Sequence, residues 1–148
     1  MKAQEIRLGP LPKECFFLDR AYFPFPWTEL QWSQQLKNES TYLFYEINAE
    51  GIVHSFILGD CALESRVFWI HKVLTHPESR SKGLASGLVE LIELSLDVKD
   101  FYLEVAESNS LAIGFYEKLG FQAYDISKSF YSNGEAAFKM RRCGAQRA

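Results

Sequence analysis

One stretch constrains the rest of the chain: Pro77-Glu78-Ser79-Arg80-Ser81-Lys82-Gly83-Leu84-Ala85-Ser86-Gly87-Leu88. A β-type run, Val67 to Thr75, leads into it, and an amphipathic run, Leu84 to Val98, leads out. A strand therefore feeds a short basic loop of small residues that opens a helix. The N-terminus of a helix presents backbone N–H groups without partners and a partial positive charge. Gly83 and Ala85 let the backbone approach an anion closely, and Arg80 and Lys82 add charge. This is how a phosphate site is built. The plain alternative is a polar turn before an ordinary helix, and a single Gly-rich turn does not decide between them.

The remaining chain reads as one domain over residues 1–148, long enough for a sizeable core. A net charge of -3 argues against a general nucleic-acid binder, leaving local basic spots at Arg80/Lys82 and Arg141/Arg142. Aromatic residues reach 15%, more than the core periods use, so some are expected to line a cleft. Cys15, Cys61 and Cys143 are odd in number and widely spaced, which favours free thiols in a reducing compartment. His54, His71 and His76 lack metal-ligand spacing, so no metal is expected. With no apolar run of membrane-spanning length and no leader-like segment at the N-terminus, the expected location is the cytoplasm, with neither membrane nor nucleic acid as a direct partner.

In chain order, Met1 to Leu8 reads as a first strand and Leu11 to Ala21 as a helix. Two prolines keep Tyr22-Phe23-Pro24-Phe25-Pro26-Trp27 out of regular helix. This aromatic segment either packs on the core or forms one wall of a binding groove. Thr28 is a candidate N-cap for a helix from Glu29 to Lys37. Tyr42 to Ile47, Ile52 to Ala62 and Val67 to Thr75 follow as strands with short connections, hence antiparallel neighbours. The helix after the basic loop carries Leu84, Leu88, Leu91, Ile92 and Ser95 on one stripe. Phe101 to Val105 is the next strand. A strand–helix–strand crossover makes it parallel to its predecessor, so the sheet is mixed. Ser108-Asn109 caps a helix from Ser110 to Leu119, with Gly120 at its C-terminal end. Phe121 to Ser127 and Ala136 to Met140 close the chain, joined by a loop bearing Phe130 and Tyr131.

Two residues carry chemistry. Glu104 lies within an apolar strand, unfavourable for a carboxylate unless it faces a cleft or a partner; an edge strand with Glu104 in solvent, or a salt bridge, is the plain alternative. Tyr116 shares a helix face with Ala112, while Leu111, Phe115 and Leu119 form the better core stripe, which leaves Tyr116 free to face something else or to sit at the rim of the core.

Taken together these segments resemble the GNAT family of N-acetyltransferases. The resemblance rests on Arg80-x-x-Gly83-x-Ala85 and on Asn109-x-x-Ala112-x-x-x-Tyr116-Glu117-Lys118-Leu119-Gly120-Phe121, and it covers about Ile52 to Met140. Phe25-Pro26-Trp27-Thr28, Leu103-Glu104-Val105, Ser108-Asn109, Phe130-Tyr131 and Glu135-Ala136-Ala137-x-x-Met140 resemble segments of its RimI-type branch, the ribosomal-protein alanine N-acetyltransferases.

The resemblance implies a GNAT fold: a mixed, mostly antiparallel twisted sheet of about six to seven strands flanked by about four helices. It implies acetyl-coenzyme A as cosubstrate, held by Arg80, Ser81, Lys82, Gly83, Leu84, Ala85 and Ser86 at its pyrophosphate, by the backbone of Val73, Leu74 and Thr75 along its pantetheine arm, and by Asn109. It makes Glu104 the general base and Tyr116 the general acid of a direct transfer. Trp27 and Tyr131 fall on the acceptor side, and the acceptor it implies is a protein N-terminus, that of a ribosomal protein beginning with Ala or Ser. Lys72-Val73-Leu74-Thr75 stands where the branch has Asn-Ile-Ala-Val, and Ala106 where it has Arg. Such changes touch acceptor choice more than the reaction, so a GNAT enzyme for a Lys side chain or a small amine is the main alternative. A coenzyme A-binding module without activity and a nucleotide-binding α/β domain are the others. The antiparallel strands ahead of the loop disfavour the last of these.

Overall fold

The computed structural model describes residues 2–6 (backbone only), 13–23, 26–80 and 82–143. The chain runs β1 (Lys2–Ile6), α1 (Lys13–Tyr22), α2 (Glu29–Leu36), β2 (Thr41–Ile47), β3 (Val53–Ala62), β4 (Val67–Thr75), a 3-10 turn (Pro77–Ser79), α3 (Leu84–Leu96), β5 (Asp100–Ala106), α4 (Ser110–Lys118), β6 (Gln122–Ser127) and β7 (Ala137–Cys143). The strands form one sheet in the order β1-β2-β3-β4-β5-β7-β6. Every pairing is antiparallel except β4 with β5, the pair that the α3 crossover joins. The expected mixed sheet and GNAT-type architecture are borne out.

Two apolar layers sandwich the sheet. On one face Phe68, Ile70, Val73, Phe101, Leu103 and Val105 pack with Leu88, Val89 and Ile92 of α3. On the other, Leu43, Tyr45, Phe56, Leu58 and Leu74 pack with Cys15 and Leu18 of α1 and Trp32 and Leu36 of α2. Phe68 and Phe101, neighbours across the parallel pair, are fully buried, and each such ring is worth ~1.5–3 kcal/mol of apolar burial. The second layer ends at β4, so α1 and α2 cover only the β2–β4 half of that face.

Local chemistry sets the helix ends. Thr28 and Gln31 form a reciprocal cap on α2: Thr28 Oγ1 accepts from the Gln31 N–H at 3.2 Å, and Gln31 Oε1 accepts from the Thr28 N–H at 2.8 Å. α3 stops two residues before the expected Val98, because Asp97 adopts a left-handed conformation at φ 54°. Its buried face is Ala85, Leu88, Val89, Ile92 and Glu93; Ser95, expected on that stripe, points to solvent. The expectation for α4 is corrected more strongly. Leu111 is 87% exposed, whereas Tyr116 is the buried residue of the helix. Ala112, Ile113, Phe115 and Leu119 flank it against the core, so the burying face centres one position off the Leu111 stripe.

Two irregularities position the middle of the sheet. Lys72 pairs with Leu58 but Ile70 pairs with Gly59, so His71 is an extra residue on β4. The bulge flips the alternation: Ile70 and Val73 both face α3, while Lys72 and Leu74 face α1 and α2. The β4–β5 pairing itself lasts only three positions, Val67 with Asp100, Phe68 with Phe101 and Trp69 with Tyr102. β4 then runs on to Thr75 and β5 to Ala106 without pairing to each other, so the sheet opens into a wedge-shaped gap.

Candidate active site

The residues expected on the cofactor side lie at the end of β4 and in the turn and helix start that follow it, except Asn109, which precedes α4. Val73, Leu74 and Thr75 pair with Ile57, Phe56 and Ser55 of β3, which leaves their other edge toward the gap. Beyond β4 the chain turns through the 3-10 segment. It is anchored by a hydrogen bond between the His54 ring and the hydroxyl of buried Ser79, with His76 capping the turn by accepting from the Glu78 N–H. Arg80 and Lys82 are exposed; Ser81 lies outside the described residues.

Gly83 then takes φ 72°, a left-handed value that suits glycine, and starts α3 without a side-chain cap. The first helical bond runs from the Gly87 N–H to the Gly83 carbonyl, so the N–H groups of Leu84, Ala85 and Ser86 precede the ladder. An uncapped helix start with two exposed cations beside it fits a pyrophosphate, on its hydrogen-bond donors as well as on its charge. The Ala85 side chain is buried, so its smallness serves packing of α3 onto the sheet while its N–H faces the loop.

Of the acid–base candidates, Glu104 lies on β5, the far bank of the gap, whereas Tyr116 is buried on α4 within the α3-side core. β5 is a central strand, between β4 and β7, yet Glu104 is exposed, which removes the edge-strand alternative: its carboxylate looks into open space at the middle of the sheet. Lys139 of β7 lies opposite it in register. Tyr131 comes from the β6–β7 loop, half-buried, and its phenol is pushed up by burial and by the charges of Glu104 and Glu135. Tyr116 is raised strongly by burial, with Tyr131 adding to the shift. The Tyr116 ring sits edge-on to Phe115 and Phe121, and its carbonyl accepts from the Phe121 N–H at 3.0 Å in the Gly120 turn. Asn109 caps α4, its Oδ1 accepting from the Ala112 N–H at 3.2 Å.

Several structural members of the site had little or no sequence signal. Glu135 straps the Tyr131 loop to the end of β5: its Oε1 accepts from the Ser108 N–H at 2.8 Å, and these bonds lower its pKa. Beside Trp27, Lys72 and Asp19 form a buried pair at 2.9 Å. His71 and Asp60 form a second, partly exposed pair at 2.9 Å, with the His71 ring 6.3 Å from that of Trp27. A lysine in the apolar run Val67 to Thr75 was a legible signal; the identity of its partner was not. Pro24 and Phe25 of the aromatic segment lie outside the described residues.

The mixed sheet and its flanking helices agree with the fold that the GNAT resemblance implies, and the comparisons show the family. The profile of the acetyltransferase (GNAT) family matches residues 8–121. The chain belongs to that family and is an N-acetyltransferase of the acetyl-coenzyme A-dependent class. It is 25% identical over 120 residues to the [ribosomal protein bS18]-alanine N-acetyltransferase of Escherichia coli, covering 79% of this chain and 78% of that one. It is 41% identical over 69 residues to an N-alpha-acetyltransferase of Saccharolobus solfataricus, a match that spans 44% of this chain and 41% of the relative. The crystal structure of the Escherichia coli ribosomal-protein-S18-alanine N-acetyltransferase shares the fold with a TM-score of 0.76 at 23% identity, over 96% of this chain and 94% of that one.

Proposed function

We propose that this protein acetylates the N-terminal α-amine of a protein, with a ribosomal protein beginning with Ala or Ser as the acceptor class, and that the whole chain of 148 residues works as one cytoplasmic acetyltransferase domain. The observation that carries the reading is Glu104, an exposed carboxylate on a central strand, β5, which forms the bank of the gap opposite β4. The names of the Escherichia coli and Saccharolobus solfataricus relatives support the acceptor class.

Bound at the α3 N-terminus and along β4, acetyl-coenzyme A supplies a thioester carbonyl for attack by an amine. The N–H groups of Leu84, Ala85 and Ser86, with Arg80, Ser81 and Lys82, hold its pyrophosphate, Val73 to Thr75 align its arm, and Asn109 contacts it. Glu104 attracts the protonated amine and takes its proton, directly or through one water. An α-amine has pKa ~8 and a Lys amine ~10.4, so the reactive fraction of the former at neutral pH is some hundredfold larger. A carboxylate is therefore an adequate base for an N-terminus. Tyr116 holds its proton toward the departing sulfur. Even ordinary values, ~10 for Tyr and ~8.5 for a thiol, make that transfer uphill by about 2 kcal/mol, and burial raises Tyr116 further. Tyr116 therefore works chiefly as a positioned hydrogen-bond donor to the growing charge, completing the transfer late. Trp27 and Tyr131 form the two walls of the acceptor groove.

The test is mass spectrometry of peptides after incubation with acetyl-coenzyme A. Peptides with a free N-terminal Ala or Ser should be acetylated there, and N-terminally blocked peptides with an internal Lys should react far more slowly. Preference for the blocked Lys peptide, or for a small amine, would overturn the N-terminal reading and leave the family assignment standing.

A further inference from the structure

We propose that the buried Lys72–Asp19 pair is the device that fixes the acceptor wall at Trp27 to the cofactor strand, making Lys72 and Asp19 positioning residues for acceptor binding. This rests on the acceptor reading of Trp27.

The pair is fully enclosed: Lys72 is 1% exposed and Asp19 0%. Lys72 Nζ donates to Asp19 Oδ1 at 2.9 Å. Asp19 Oδ2 accepts from the Trp27 backbone N–H at 2.9 Å and from Trp32 Nε1 at 2.8 Å. The ammonium lies 3.9 Å from the centre of the Phe23 ring and 4.5 Å from that of Trp27. One cation and one carboxylate thus hold both ends of the aromatic segment, through its backbone at Trp27 and through the faces of two of its rings.

Stability alone gives a weak reason for such an arrangement. Replacing a buried ion pair with apolar side chains of similar volume is often neutral or stabilising, because desolvating two charges offsets their attraction. What the pair supplies that apolar packing lacks is direction. Between α1 and α2 the described residues Phe23 and Pro26 to Thr28 have no regular secondary structure, and Asp19 gives the Trp27 N–H a fixed acceptor. The bulge at His71 is what turns Lys72 toward α1; without it Lys72 would share a face with Ile70 and point at α3. Lys72 immediately precedes Val73, the first residue of the edge assigned to the cosubstrate. The acceptor wall is therefore tied, through Lys72, to the strand assigned to the cosubstrate.

Steady-state kinetics with acetyl-coenzyme A and a peptide beginning with Ala test this on the wild-type protein, Lys72→Met and Lys72→Arg. Lys72→Met is one atom shorter, fills most of the same space and removes the charge, leaving Asp19 its donors from Trp27 and Trp32. Its acceptor KM should rise at least about tenfold, with kcat changed less than about threefold and acetyl-coenzyme A affinity, measured by calorimetry, within about twofold. Lys72→Arg, which keeps the cation, should recover most of the acceptor KM. A folded Lys72→Met with the wild-type acceptor KM would overturn the proposal, as would a variant in which both KM values and kcat worsen together with the melting temperature. Should Lys72→Met fail to fold, Lys72→Gln, which retains a donor for Asp19 without the cation, is read by the same outcomes. If the wild-type protein acetylates no N-terminal peptide, the acceptor reading itself falls; if it does and the Lys72 variants keep its KM, only this inference falls.

Discussion

Gly59 lies against Phe68 with no room for a side chain: a Cβ at Gly59 would sit 2.3 Å from the Phe68 ring and 2.3 Å from the Trp69 carbonyl oxygen. Neither neighbour can yield cheaply, since one is a fully buried ring and the other is backbone. Gly59 stands opposite the His71 bulge, so the strand that turns Lys72 toward α1 depends on it. Gly59→Ala should destabilise the protein by about 2–4 kcal/mol, as overpacking into a rigid site does. Chemical denaturation measures this, and a loss below about 0.5 kcal/mol would show that the two strands separate more easily than the contacts imply.

Gly83→Asp puts a negative charge and a side chain at the uncapped start of α3, where φ is positive. Acetyl-coenzyme A affinity should fall at least about tenfold, roughly 1.4 kcal/mol. Calorimetry on the folded variant checks it, and unchanged affinity would remove the pyrophosphate site from this loop.

Tyr116→Phe removes one hydroxyl and keeps the ring against Phe115 and Phe121. The expected outcome is a fall in kcat of about 10²–10⁴, the usual effect of losing a positioned proton donor, with coenzyme A binding retained. A normal kcat would reduce Tyr116 to a packing residue.

Glu104→Gln keeps shape and removes the base. Its penalty should grow as pH is lowered from about 9 to about 6, because the free-amine fraction shrinks and more turnovers need a proton removed. A wild-type to variant rate ratio that is flat across this range would exclude Glu104 as base.

Asp60 yields a stability prediction. Burial alone would raise its carboxyl, but hydrogen bonds from Thr41 and His71, together with the His71 charge, outweigh that and lower it. A carboxyl held lower in the folded state than in the unfolded one adds stability that is complete above its unfolded value of ~3.9 and is lost as pH falls through the folded value. Thermal melts between about pH 6 and pH 3 should therefore show a steeper acid limb for the wild-type protein than for Asp60→Asn. Parallel limbs would sink the assignment.

Much of this fold was legible because its signals are local. The caps at Thr28 and Asn109, the glycine turn at Gly120 and the strand–loop–helix around Gly83 all rest on neighbours within a few residues. The resemblance carried the roles of Glu104 and Tyr116, which periodicity alone did not. Leu111 misled because α4 is short and apolar on more than one face, so counting apolar positions did not say which face packs. The Lys72–Asp19 pair was out of reach for another reason: its members are 53 residues apart, and a bulge that pattern reading does not detect decides which way Lys72 points.

A sheet normally offers free pairing edges only at its two outermost strands. The early parting of β4 and β5 gives this molecule an additional pair of rims inside itself, Ile70 to Thr75 on one bank and Leu103 to Ala106 on the other. Such rims are a hazard on a protein's exterior, where they recruit other chains. Here they lie inside the sheet, with β3 behind one bank and β7 behind the other. A molecule that paired with them would have to lie along the strands and bring amide groups of its own, so backbone geometry alone would govern how it sits.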